Sequence, residues 1–173
     1  VKGKRYELLD IVEFMDIGVK SASILYDTLR TYNGLLLNKR VMELHNLKQT
    51  ADHVRQEIME ALLVDFLPPM NREDIGQLIQ RVHGMIEGIE EVLITVNMYH
   101  VKVMNTEAIE LSKLMCASCS SIKLGFTELA NIKKTKYSKI KLEEAAKTTN
   151  KGLILYHNCI YKLYGRGKDP IEL

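Results

Sequence analysis

The sequence of 173 residues has no tryptophan, three prolines, ten glycines and only 6% aromatic residues. So few aromatics and turn formers argue against a β-sandwich or barrel, which needs both. A 46% apolar share is far too high for a disordered chain. No apolar run approaches the ~18–20 residues of a membrane span, and none has the layout of a signal peptide. Charge of one sign is lacking too: 24 Lys and Arg stand against 22 Asp and Glu, a formal net charge of +2. No basic excess draws the chain to nucleic acid. Three cysteines, an odd number, do not make a disulfide framework and point to a reducing, cytoplasmic compartment. Cys116 and Cys119 form a C-x-x-C in a helical stretch with no second pair. They read as small buried residues rather than metal thiolates. Also missing are a Gly-rich phosphate loop, a Gly-x-Ser-x-Gly elbow and a His-Glu-x-x-His helix. The paired Glu plus Glu-x-x-His set of a di-iron bundle is missing as well, so no enzyme is expected.

What is present is helical period throughout, in a length that suits one domain over 1–173. Leu8, Val12, Met15, Val19, Ala22, Tyr26 and Leu29 alternate steps of four and three, the seam of a first long helix. Asn33 and Gly34 tolerate the left-handed cap that would end it. A second seam runs Leu44, Leu47, Ala51, Val54, Ile58 and Leu62 to Phe66, where Leu67-Pro68-Pro69 stops it. Asn71 caps a third helix, with Glu73 and Asp74 facing its dipole and Ile75, Ile79, Val82, Ile86, Ile89, Leu93 and Val96 as its seam. A fourth run uses smaller residues: Ala108, Leu111, Met115, Ser118, Ile122, Gly125, Leu129 and Ile132. Ser138 is expected to cap a fifth helix through Leu142, Ala146, Leu153, Tyr156, Ile160 and Leu163 to Gly165. Asp169-Pro170-Ile171 has the opening of one more helix without its body. The prediction is an all-α, up-and-down antiparallel bundle of about five helices, each ~40 Å long. A coiled-coil rod is the competitor, and the Pro-Pro stop between separate runs disfavours it. The opening on Val1 and the stop after Leu173 are expected of an incomplete gene product.

One segment is distinctive: Ala51-Asp52 on a helix, then Phe66-Leu67-Pro68-Pro69-Met70-Asn71-Arg72-Glu73-Asp74-Ile75, then Ile86-Glu87-Gly88-Ile89-Glu90. It resembles the PhoU-related phosphate transport regulators, all-helical accessory proteins of Pit-type phosphate transporters. Thr149-Asn150-Lys151-Gly152-Leu153, Leu163-Tyr164 and Asp169-Pro170-Ile171 extend the resemblance over most of the chain, with the family's last helix missing. The resemblance implies a PhoU-like bundle and a non-enzymatic role at the cytoplasmic side of a phosphate permease. It also implies acid pairs at i and i+4 that hold cations.

Several positions depart from that pattern. Lys48 stands where the first acid belongs, His83 and Gly84 replace two aspartates, and Thr149 and Leu153 replace the pair on the fifth helix. A lysine beside a cation site repels the metal. What remains is Asp52, His83 and Glu87, a set that suits Zn or Fe better than Mg, so at most one weakly bound divalent metal is expected. The plainer reading is a solvated Lys48–Asp52 ion pair with His83 at the rim. His45, His53, His100 and His157 are lone helical histidines with no role assigned.

Lys133, Lys134 and Lys136, with Lys139 and Lys141, form the one local charge asymmetry. They could meet anionic lipid headgroups at the inner membrane face or an acidic transporter loop. The plainer reading is a solubilising junction, with the cations well placed at a helix C-terminus. The rivals to a transport regulator are a metal-dependent bundle enzyme and a purely oligomerising scaffold. Self-association, at least to a dimer, is expected, because a bundle short of one helix leaves part of an apolar seam uncovered.

Overall fold

The computed structural model describes residues 8–64, 71–131 and 135–165. Five helices form: α1 (Leu8–Arg30), α2 (Leu37–Val64), α3 (Arg72–Met98), α4 (Thr106–Ala130) and α5 (Thr135–Tyr164). A 3-10 turn, Gly34–Leu36, leads into α2, and no strand occurs among the described residues. The chain is therefore an all-α bundle. The stop at Leu67-Pro68-Pro69, together with Phe66, Ile132, Lys133, Lys134 and Asp169-Pro170-Ile171, lies outside the described residues.

Paired side chains give the helix directions. Between α2 and α3, His45 meets Glu90 while Asp52 meets His83, so the two run antiparallel. Ser23 with Cys116 and Asp16 with Lys123 set α1 antiparallel to α4 in the same way. Ser118 with Thr149 and Gly125 with Ser138 do so for α4 and α5. Long helices joined by short connections leave little choice but this up-and-down order.

The core lies between α1, α2 and α3. At one end Ile11, Phe14, Met15 and Ile17 pack with Ile58, Leu62, Ile75, Ile79, Val82 and Ile86. At the other, Ala22, Leu25 and Leu29 meet Leu37, Leu44, Ile89 and Leu93, and Cys119 brings in α4. Helix α4 lies on α1 and α5 on α4, so α5 is the outer layer. There Gly125 allows close approach: a Cβ would stand 2.9 Å from Leu142.

Two caps follow the sequence. Asn71 Oδ1 accepts from the Glu73 amide at 3.0 Å, and Gly165 N donates to Tyr161 O at 2.9 Å just past α5. Three expectations are corrected. On α1 the buried face includes Ile11, Phe14, Gly18, Ser21 and Leu25, while Val12, Val19 and Tyr26 are only half-buried. Three neighbours enclose this helix, so its buried arc is wide and centred off the stripe read from sequence. Asn33 is extended (φ −141°, ψ 107°) and caps the 3-10 turn, accepting from Leu35 N, instead of closing α1 in a left-handed turn. Ser138 is no cap, because α5 begins at Thr135; it is buried and donates to Gly125 O at 2.7 Å.

Candidate functional site

One edge of the α2–α3 contact is polar. His45, Lys48 and Asp52 recur at three and four residues on α2, as His83, Glu87 and Glu90 do on α3, so each trio shares a face. The antiparallel register lays one row along the other. His83 is the buried member, its side chain 6% exposed. Its Nε2 lies 2.6 Å from Asp52 Oδ1, and its Nδ1 lies 3.4 Å from Glu87 Oε2. A carboxylate only accepts, so the Nε2–H donates to Asp52. The other Asp52 oxygen takes the Lys48 ammonium at 3.0 Å. Beside this chain, His45 Nδ1 sits 2.8 Å from Glu90 Oε1.

Burial alone would raise the Asp52 pKa. The hydrogen bonds from Lys48 and His83 outweigh it and hold the carboxyl below its ordinary range. The Lys48 ammonium is favoured in turn, chiefly by its hydrogen bond to Asp52 and further by the Coulomb attraction of Asp52, Glu87 and Glu90.

The structure thus brings Asp52, His83 and Glu87 together, but the two carboxylates face opposite nitrogens of one ring. They do not converge on a point. With Nε2 committed to Asp52, the free donors are Nδ1 and Glu87, short of the three protein ligands a zinc-type centre takes. Among the described residues no group of three or more His, Cys, Asp or Glu is arranged to hold a metal ion. The ammonium on Asp52 adds a like charge where a cation would sit. The residues present do not fit a resident metal; they form a row of histidine–carboxylate contacts joined to the Lys48–Asp52 ion pair. Protein dialysed against chelator is expected to keep well below one metal per chain by elemental analysis, and stoichiometric metal would contradict this. Thr149 shares a 2.8 Å hydrogen bond with Ser118 between α4 and α5. His45 and Glu90 carried no assignment from sequence. Their signal was the continuation of both polar rows at helical spacing.

A second feature is an apolar groove of about 530 Å³ bordered by α1, α3, α4 and α5. Leu25, Met85, Val92, Leu111, Met115 and Ile122 line it. Its serine hydroxyls are used within the protein: Ser112 donates to Ile109 O and Ser118 to Ala145 O. Cys119 also lines it, with Sγ 3.3 Å from Met85 Sδ, while Cys116 Sγ lies 3.5 Å from Ser23 Oγ. Burial, with Cys116 adding to it, pushes the Cys119 thiol up to about 11. The thiolate is the reactive form. At about pH 8 a thiol reagent is therefore expected to label Cys116 and Cys159 in the folded protein and Cys119 only on unfolding. Mass spectrometry of the labelled peptides checks the order, and early labelling of Cys119 would contradict its burial.

Of the basic cluster, Lys136 and Lys139 are exposed, while Lys141 is 2.8 Å from Glu144 and lies over the Tyr137 ring. Among the described residues no helix is long and apolar enough to cross a membrane. Compared with known proteins, the chain matches no family model and no curated sequence, so its site stands on its own geometry.

Proposed function

We propose that this chain is a non-enzymatic accessory protein of inorganic phosphate transport, docking on the cytoplasmic side of a Pit-type phosphate permease. The observation that carries the reading is the run Phe66 to Ile75, which resembles the PhoU-related regulators at matching spacing. Its described part supports a structural reason for that spacing: Asn71 caps α3, the Glu73 and Asp74 acids face the helix dipole, and Ile75 is fully buried. Asp52 and Glu87, at acid positions of the same pattern, lie on the two helices that flank the run.

The mechanism is docking of helix faces, with no bond made or broken by the chain. The α2–α3 polar row links the two long helices through the His45–Glu90 and Asp52–His83 contacts, so the reading needs no metal. Lys136 and its neighbours Lys133 and Lys134 supply cations for anionic headgroups beside the permease. Affinity purification from detergent-solubilised membranes tests the reading. The tagged chain is expected to retain a phosphate permease through washing; recovery of the chain with no phosphate permease would contradict it.

A further inference from the structure

The outer helix α5 presents a face unlike a solvated one. From Gly152 to Tyr161 it carries no Lys, Arg, Asp or Glu. Leu153, Tyr156, Ile160 and Tyr164 recur at three and four residues, which puts them on one stripe. They are 51%, 50%, 37% and 71% exposed, and Ile154 and Tyr161 widen the face at 53% and 80%. At roughly 100° per residue, Lys151 and Lys162 fall on the far side of the helix. Of the seam expected to be buried, Leu153, Tyr156 and Ile160 face outward, while Leu142 and Leu163 are half-buried.

We propose that this face is where a second copy of the chain docks, the two α5 helices packing antiparallel about a two-fold axis midway between Leu153 and Tyr164. Composition is the first argument, since interface cores are enriched in Tyr and depleted of charge. Area is the second. At ~150–250 Å² per large side chain, these six leave on the order of 600 Å² exposed, near the ~800 Å² each partner gives to a stable interface. Self-complementarity is the third: one protomer's Leu153 lies opposite its partner's Tyr164 and Tyr156 opposite Tyr161, and the imidazole on this face, His157, falls opposite Ile160 rather than opposite its own copy. A membrane surface fits less well. A helix lying on headgroups sets Lys and Arg beside its apolar face, whereas these lysines point the opposite way. The inference is independent of the phosphate-transport reading.

Light scattering and sedimentation velocity on the full chain at about 100 µM are expected to give twice the chain mass of 19.8 kDa. Leu153→Asp with Ile160→Asp is expected to weaken the dimer by roughly 100-fold or more with an unchanged circular dichroism spectrum. Should that pair fail to fold, Tyr161→Lys with Tyr164→Lys, both at exposed positions, tests the same face. Lys162→Ala, on the far side, is expected to leave the dimer intact. A monomer at that concentration overturns the proposal, as does a dimer indifferent to all four face substitutions. A monomer that sediments with phosphatidylserine-containing vesicles overturns it in favour of a membrane surface.

Discussion

Phe14→Ala is expected to lower folding stability by about 3–5 kcal/mol, the largest single effect in this protein. Phe14 is fully buried where α1 meets α2 and α3, with Ile11, Ile58, Ile75 and Ile79 in the same cluster. Those isoleucines are β-branched and stiff at χ1, so they collapse poorly into the space an alanine leaves. The cost therefore includes the cavity as well as the lost transfer of the ring from water. For a chain of this length the melting temperature should fall by about 10 °C. Urea unfolding followed by circular dichroism checks this, and Phe14→Leu should recover most of the loss. A drop below about 1 kcal/mol would mean that the three helices do not close around Phe14.

Asp52→Ala is expected to cost about 1–2 kcal/mol, because it leaves the buried His83 Nε2–H without an acceptor. The Asp52 side chain is 38% exposed, which keeps the loss below the ~3–5 kcal/mol of a fully buried pair. The same contact sets a pH dependence. In the folded state the Asp52 pKa is lowered, so its stabilisation is complete above the ordinary carboxylate value of about 3.9. It is lost as pH falls through the lower folded value, where the carboxyl takes up its proton. Wild type should thus lose stability on that acid limb more steeply than Asp52→Asn, which has no proton to bind. Equal acid slopes in chemical denaturation would show that the Asp52–His83 contact does not form. A double-mutant cycle with His83→Ala isolates the pair from the neighbouring Lys48.

Reading the sequence by period worked best where a helix buries one stripe. On α3 all of Ile75, Ile79, Val82, Ile86, Ile89 and Leu93 are buried as their spacing predicts. It worked less well on α1, because enclosure by three helices is a tertiary fact that no single stripe encodes. On α5 the stripe is present, but Leu153, Tyr156 and Ile160 look outward. Period shows that a helix has an apolar face, not which partner covers it. Caps were legible where the side chain acts locally, as at Asn71. Ser138 has the look of a cap in the sequence, but a serine near a helix start can equally bond across to another helix, as it does to Gly125. The site was partly legible in the same sense. Spacing put His83 and Glu87 on one face, and the resemblance brought in Asp52. The Lys48–Asp52 ion pair was anticipated, but His83 is buried at 5% exposure rather than sitting at the rim. The match of His45 with Glu90 needs the α2–α3 register, which the apolar seams set jointly and neither strip of sequence states alone.

Radiolabelled phosphate uptake tests the central claim most directly. Cells lacking this gene are compared with the parent and with cells in which the chain is restored from a plasmid. The account predicts that deletion changes the rate of permease-dependent uptake and that the restored chain returns it to the parental value. Identical uptake in all three strains, with the chain expressed and folded, would contradict it.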